Sequence, residues 1–431
     1  MKILRIKELS AEEKRRILER SMIDISSVYD EVRRIIEDVR KRGNKAIEDQ
    51  HERFFGEKIL EEELEVKKEE IEDAYRKVDP EIIESLKNSA RNIKVFHEAQ
   101  IEKQMWIKEV ERGILAGRMT VPIEKVGCYV PGGRAIYPSS LLMTAIPAKV
   151  AGVKEVIVTT PPKKGKKVDP LILVSADIAG VDRIFKIGGP WAIAALAFGT
   201  ETVPKVEKIV GPGNIYVTAA KLILYGKVSI DLPAGPSEIL IIADKDQDPK
   251  WIATDLLSQL EHDPDSSAVL ITDSEKLAND VYRIIEKSYE RLPRKDILSS
   301  SLKKYSYILI SEDLDEAIRF ANEYAPEHIQ IMTKDPFLIL PKIRNAGSIF
   351  LGPYSPVPAG DYASGTNHVL PTGGSAKGFS GLSVDDFLKR ITFQYITKQG
   401  LMSIKDTVIR LAEKEGLPLH AQSIKIRFRD D

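Results

Sequence analysis

The sequence predicts an α/β fold built from two parallel, doubly wound units. Short apolar or β-branched runs such as Val156–Thr159, Ile184–Ile187 and Ile239–Ala243 alternate with helical patterns from about Val121 to Asp244. Apart from Lys186 these runs are apolar or β-branched, as strands covered on both sides require. The same rhythm resumes at Trp251, so the strand–crossover–strand plan occurs twice.

Each element has a local reason. The first hundred residues read as helices. Ser10-Ala-Glu-Glu13 is a capping box before Lys14–Arg20. Ile25–Arg42 carries apolar residues at helical spacing and stops at Gly43. Glu61–Lys77 and Glu81–Ile101 are amphipathic and highly charged. Helices Leu171–Ala179, Ala192–Phe198 and Ile215–Leu224 belong to the first α/β rhythm. The second reads as helix Trp251–Glu261, strand Ala268–Ile271, helix Leu277–Glu290, strand Tyr307–Ile310, helix Leu314–Tyr324 and strand Ile329–Met332. Gly352–Gly381 is dense in Gly, Pro, Ser and Thr, and a loop of that length is usually functional or disordered. Order returns with Ser383–Lys389, strand Ile391–Thr397 and helix Lys405–Glu415.

Composition narrows the function. The chain has 431 residues, with 64 Lys+Arg against 65 Asp+Glu, so no basic footprint points to nucleic acid. Hydrophobic residues make up 43%, too many for a disordered chain. No run approaches the ~18 apolar residues of a membrane span. The only cysteine is Cys128, which excludes an intrachain disulfide and a thiolate metal cage. A cytoplasmic location is expected.

Several polar residues could carry chemistry. Gln259 and His262 lie at i and i+3 on one helix face, where they could be two metal ligands or could merely cap the last turn. Glu327-His328 follows Pro326 and precedes a strand. The pair could flank a substrate at a bend, although sites in open α/β sheets lie beyond the carboxyl ends of strands. Asp361 and His368 sit in the long loop, where an Asp equally well orders a turn. Glu415 and His420 lie near the C-terminus. Gly132-Gly133, Gly188-Gly189 and Gly211-Pro-Gly-Asn214 each adjoin a strand, and such turns offer free N–H groups to a phosphate or are simply tight.

Together these residues resemble the histidinol dehydrogenase family. The matching strings are Val130-Pro-Gly-Gly133, Ala194-Ala-Leu-Ala-Phe-Gly199, Val210-Gly-Pro-Gly-Asn214 and Asp231-Leu-Pro-Ala-Gly-Pro-Ser-Glu238. They continue with Asp255-Leu-Leu-Ser-Gln-Leu-Glu-His262, Ala325-Pro-Glu-His328 and Pro358-Ala-Gly-Asp-Tyr362. The last are Ser364-Gly-Thr-Asn-His368-Val-Leu-Pro-Thr and Glu415-Gly-Leu-Pro-Leu-His420. They span most of the chain in order; the charged N-terminal region matches only in helical character.

The resemblance implies two incomplete Rossmann-like units with a helical N-terminal and a small C-terminal extension. It implies a helical arm over residues 1–25 and a discontinuous α/β domain of residues 26–126 with 238–382. Residues 127–237 would form the second α/β domain, and 383–431 would contribute to the partner subunit's site in a domain-exchanged homodimer. It implies NAD-linked oxidation of L-histidinol to L-histidine, the last steps of histidine biosynthesis, through an enzyme-held histidinal. Gln259, His262, Asp361 and His420 would hold one zinc ion. Ser237, His328, Asp361 and Glu415 would contact substrate, along with the metal ligands. Tyr129 and Asn214 would contact NAD, and Glu327 and His328 would move protons. Trp191 stands where that family usually has a Gln that contacts the dinucleotide. On the residues alone, a metallohydrolase using Glu327, or a metal-stabilised binding protein, would fit too.

Overall fold

The protein is described here as a computed structural model covering residues 1–20, 25–132, 136–232 and 235–428. It divides into two compact units: Met1–Gln100 with Ile123–Phe387, and Ile101–Pro122 with Leu388–Asp431. Among the described residues no helix is long and apolar enough to cross a membrane.

The first unit holds two parallel sheets. One runs in the order Lys2–Arg5, Ser306–Ile310, Ser267–Thr272, Glu238–Ala243, His328–Met332, Ser348–Leu351. The other runs Arg183–Phe185, Glu155–Thr159, Lys125–Tyr129, Lys208–Val210, Ser229–Ile230. Each winds outward from an inner strand, then crosses back to that strand's other side. The order therefore reverses beside Lys125–Tyr129 in one sheet and beside Glu238–Ala243 in the other, and a crevice opens there.

The inner strands are buried along their whole length. Their alternating side chains serve two cores, as the period of two requires. Ile239, Ile241, Ala268 and Leu270 join the core made with helices Pro249–Leu260, Glu275–Ser288 and Lys295–Lys304. Leu240, Ile242, Val269 and Ile271 join the core made with helices Ala11–Leu18 and Leu314–Tyr324. The N-terminal helices cover the five-stranded sheet: Tyr29–Arg42 and Asn44–Phe55 contribute to one of its cores, Lys68–Lys77 and Pro80–Glu98 to the other.

The second unit is an antiparallel sheet in the order Leu388–Ile396, Ile114–Pro122, Met105–Glu111, followed by helices Lys398–Lys414 and Pro418–Lys425. Gly117 faces Phe393 across it, and a Cβ there would strike the Phe393 ring. All seven residues of Met105–Glu111 are exposed.

Helix Tyr29–Arg42 ends at Gly43 as expected, and a second helix, Asn44–Phe55, starts directly after it. Three expectations change. Residues 1–25 are not wholly helical, because Lys2–Arg5 pairs in parallel with Ser306–Ile310 as an edge strand. Glu61–Lys77 is a short 3-10 turn followed by helix Lys68–Lys77. Within the long Gly/Pro segment, Val357–Tyr362 is helical, entered through extended Pro356.

A buried ion pair anchors the N-terminal segment to the larger sheet. The Arg20 guanidinium donates to both carboxylate oxygens of Glu238, at 3.0 and 2.6 Å, and to the carbonyl of Tyr324 at 2.7 Å. It also stacks 3.4 Å over the Tyr324 ring. Removing one partner of such a pair leaves an uncompensated buried charge. Arg20→Ala is expected to destabilise the unit by ~3–5 kcal/mol in denaturant titration, and Arg20→Lys by less.

Candidate active site

The amino ends of the six-stranded sheet gather the strongest cluster of polar side chains. Helix Leu314–Tyr324 ends at Ala325 in the left-handed conformation, with φ of 50°. Pro326 prevents its continuation, so Glu327 falls in a bend and His328 opens the next strand. His328 lies opposite Ile239 and Ser348 in register. Glu327 and His328 are both buried, at 7% and 3% exposure.

Glu238 holds this pair through its main chain. Its N–H donates to Glu327 Oε2 at 2.7 Å, and its carbonyl lies 2.9 Å from His328 Nδ1. A carbonyl only accepts, so Nδ1 carries a proton, and it also lies 3.3 Å from Glu327 Oε2. Nε2 then points away with no protein partner. Burial lowers the basicity of the imidazole, but Glu327, their hydrogen bond and Asp361 outweigh it and raise the pKa to about 9. Burial raises the Glu327 carboxyl, opposed by His328. Glu327 accepts two donors, an arrangement that suits a carboxylate, so the imidazole is the proton holder of the pair.

Asp361, on the helix Val357–Tyr362, places Oδ1 3.9 Å from His328 Nε2 and 3.8 Å from His368 Nδ1. Neither distance is a hydrogen bond, so this oxygen is not committed to either ring. His368 Nδ1 lies 3.1 Å from the Asp361 carbonyl, and Ser140 Oγ lies 3.3 Å from Nε2. That arrangement protonates Nδ1 and lets Ser140 donate. Burial lowers the His368 pKa, which keeps the ring neutral.

Gln259 is buried on helix Pro249–Leu260, and His262 is exposed just after that helix. The helix runs back from the carboxyl end of Glu238–Ala243 to the amino end of Ser267–Thr272, so its last turn reaches the sheet edge that bears His328. Gln330 Nε2 donates to Asp255 at 3.0 Å and ties this helix to the strand of His328. Ser237 precedes Glu238 at the same edge, and its carbonyl accepts from Ser267 N–H at 3.0 Å. Glu415 and His420 belong to the second unit.

The donors in the first unit are an amide oxygen, an imidazole and a carboxylate, a set that suits zinc with a further ligand. Among the described residues no three His, Cys, Asp or Glu side chains cluster for a metal. His262 and Asp361 are the only such residues that the expected set places in this unit.

The other expected residues lie at the reversal point of the five-stranded sheet. Tyr129 ends one strand and Asn214 follows its neighbour, and both line a cavity of about 960 Å³. Tyr129 is buried, its pKa raised to about 12 by that burial, and its hydroxyl accepts from Gly189 N–H at 3.2 Å. Asn214 caps helix Ile215–Leu224, accepting from Tyr216 and Val217 N–H. Gly211 has φ of +113°, and a Cβ there would strike the Tyr129 carbonyl. Helix Gly189–Phe198 begins without a side-chain cap, as an anion-accepting helix start requires. Trp191 lines the cavity, stacks on Phe54 with centroids 4.9 Å apart, and has no partner for its buried indole Nε1. Gly133, Pro233 and Ala234 of the matching strings lie outside the described residues.

Of the residues singled out in the sequence, the structure brings Glu327, His328 and Asp361 close together. The sequence did not mark Glu238, Ser140 and Gln330, which act through backbone groups or across more than 70 residues of chain. The Ala325-Pro326 stop was the available signal for the bend.

The histidinol dehydrogenase family model matches residues 18–428. Histidinol dehydrogenase of Methanothermobacter thermautotrophicus is 48% identical over 428 residues, 99% of this chain and 100% of that protein. That of Methanocaldococcus jannaschii is 49% identical over 429 residues, 100% of this chain and 99% of that protein. The crystal structure of histidinol dehydrogenase from Elizabethkingia anophelis superposes with a TM-score of 0.93 at 39% identity, covering 98% of this chain and 97% of that one. With that coverage and the fold in agreement, the chain belongs to the histidinol dehydrogenase family.

Proposed function

We propose that the chain oxidises L-histidinol to L-histidine with two NAD and one water, as the last steps of histidine biosynthesis, in a zinc-dependent homodimer. The observation that carries this reading is the His328 ring, fixed through Nδ1 on the Glu238 carbonyl and left with Nε2 free beside buried Glu327. Gln259, His262 and Asp361, with His420 from a second copy, would hold zinc, and Tyr129 and Asn214 would hold the dinucleotide. When bound, NAD supplies the hydride acceptor and zinc an electrophilic anchor for the substrate nitrogens. Ser237 and Glu415 would complete that anchoring.

The residues then divide two proton tasks. In the first oxidation the alcohol loses its O–H proton as hydride leaves the same carbon, giving histidinal. His328 Nε2 takes that proton in the neutral form of the ring, which gains population as pH rises toward about 9. In the second, water adds to the aldehyde carbon, and hydride loss from the hydrate gives the carboxylic acid. Glu327 takes a proton from the water. Ser140 and His368 brace Asp361 and link this edge to helix Pro138–Val150, which begins beside the 960 Å³ cavity.

The dimer reading is supported by the large apolar side chains that the second unit exposes on its sheet and helices, among them Trp106, Val110, Tyr395 and Leu419, which a partner would cover.

Absorbance of reduced nicotinamide should rise by two equivalents per histidinol consumed; hydrolysis without redox chemistry would give none. Glu327→Gln keeps the shape but cannot take a proton from water. It should slow oxidation of added histidinal by ~10²-fold or more and spare the first hydride transfer, whereas His328→Asn should depress the first step. Single-turnover absorbance with each substrate checks this, and equal slowing of both steps by Glu327→Gln refutes the division. Refolding inactive His262→Ala and His420→Ala chains together should restore activity, because one site of a mixed dimer receives neither defect. Heterodimer that stays inactive would place all the ligands in one chain.

A further inference from the structure

The 960 Å³ cavity of the five-stranded sheet carries cations on the side where the adenosine ribose of a dinucleotide would rest. That sheet winds outward from Lys125–Tyr129 through Glu155–Thr159 to Arg183–Phe185. In dinucleotide-binding sheets of this order, the turn after the first strand meets the pyrophosphate. A carboxylate at the end of the second strand takes the ribose hydroxyls of NAD, whereas a cation there accommodates a 2′-phosphate. Here the second strand is followed by Thr160-Pro-Pro-Lys-Lys-Gly-Lys-Lys167, with four lysines and no Asp or Glu. Thr160, Pro161, Pro162, Lys163 and Lys164 line the cavity.

The turn that bears these lysines is held in place. Lys163 N–H donates to the Lys167 carbonyl at 2.8 Å, which closes the turn. Gly165 and Lys166 both have positive φ, at 76° and 57°. Glu57 accepts the Gly165 N–H at 2.8 Å and the Lys166 N–H at 3.3 Å, so the turn is pinned to the end of the helix Asn44–Phe55.

The carboxylates around the turn are already engaged. Asp169 caps helix Pro170–Ile178 through Leu171 N–H at 3.0 Å and pairs with Lys163 at 2.6 Å. Glu63 pairs with Lys166 at 2.6 Å. Glu31, the other acid that lines the cavity, lies 3.7 Å from Arg53. The cavity thus has three cations, Arg53, Lys163 and Lys164, against two acids, and Lys164 is the cation left over. Among the described residues Lys164 is exposed and has neither a hydrogen bond nor an ion pair. A dinucleotide that ends in a plain ribose leaves that charge unused, and a 2′-phosphate would meet it.

We infer that the cavity accepts NADP as well as NAD, with Lys164 as the residue that meets the 2′-phosphate. The inference rests on the reading of this cavity as the dinucleotide site. The test is calorimetric titration of the full chain with NADPH and, separately, with NADH. NADPH is expected to bind at least as tightly as NADH. Its affinity should fall more steeply as ionic strength rises from ~0.05 to ~0.5 M, because an exposed charge pair is screened by salt. Lys164→Glu should weaken NADPH by ~10-fold or more and leave NADH within ~2-fold, and Lys164→Arg should keep both. The melting temperature should not move, since Lys164 is exposed and has no partner to lose. NADH binding with NADPH weaker by ~10-fold or more would overturn the inference and leave the proposed reaction standing. Equal weakening of both by Lys164→Glu would overturn the role of Lys164. Failure of both dinucleotides to bind would overturn the reading of the cavity itself, and the inference with it.

Discussion

Glu238 opens the central strand of the larger sheet, and each of its polar groups is engaged. Its carboxylate is fully buried and is neutralised by Arg20, with a further N–H from Gly373 at 2.9 Å. Its N–H and carbonyl orient Glu327 and His328. A buried carboxylate is tolerated only when paired and hydrogen-bonded. Docking of the N-terminal segment, which carries Arg20, is therefore coupled to the backbone that orients Glu327 and His328. The cluster sits on a strand end held from three directions, by residues near 20, 324 and 373, rather than on a loose loop. Such rigidity holds the two side chains in one fixed geometry.

The position of this cluster runs against the usual rule for parallel sheets, because it lies at the amino ends of strands. The crossover plan explains how polar side chains still gather there. Each helix between parallel strands returns to the amino edge, so its C-terminal turn lands beside the start of the next strand. Gln259 and His262 arrive in that way, and Ala325-Pro326 ends another return helix just before Glu327 and His328. Asp361 comes from a short helix after the edge strand Ser348–Leu351. The other sheet presents the opposite end, its carboxyl edge, where Tyr129 and Asn214 flank the large cavity. Ser140, on the helix that begins there, reaches His368. One sheet thus gathers its polar side chains at an amino edge, and the other opens its large cavity at a carboxyl edge.

The fold was legible in the sequence wherever burial was complete. Ile239–Ala243 has no polar face because both its faces are covered, and its continuous apolar run reports that state directly; Ile329–Met332 is as deeply buried, with Gln330 accommodated by its bond to Asp255. Helix Ile215–Leu224 was readable from Asn214 at its cap. The signal failed where burial was one-sided or absent. Met105–Glu111 exposes every residue, so no alternation marks it as a strand. Lys2–Arg5 is four residues long and pairs on one side only. Val357–Tyr362 is helical despite Pro358 and Gly360, held by its surroundings rather than by propensity. Glu327, His328 and Asp361 stood out by residue type. The grip of Glu238 on them did not, because an N–H and a carbonyl exist at every such position.

The two sheets follow one winding plan, yet their crevices differ chemically, and the difference traces to a few turn residues. Beside the large cavity, the loop after Lys208–Val210 starts at Gly211, which must be glycine to pass the Tyr129 carbonyl. Buried Lys221 donates to the Gly211 carbonyl at 3.0 Å and pairs with Asp231, which accepts the Gly211 N–H at 2.7 Å. That brace fixes the loop from behind while helix Gly189–Phe198 keeps an uncapped start. Backbone N–H groups can then approach an anionic ligand. In the other sheet, three of the four helices that follow the four inner strands spend first-turn N–H groups on Asp248, Ser274 and Asp313, and only the short helix Pro336–Ile339 starts without a side-chain cap. A start capped by Asp also adds negative charge there. The same winding plan therefore surrounds its two crevices with different polar groups. That difference lies in capping residues and in the positive-φ glycines Gly189 and Gly211, not in the sheets that carry them.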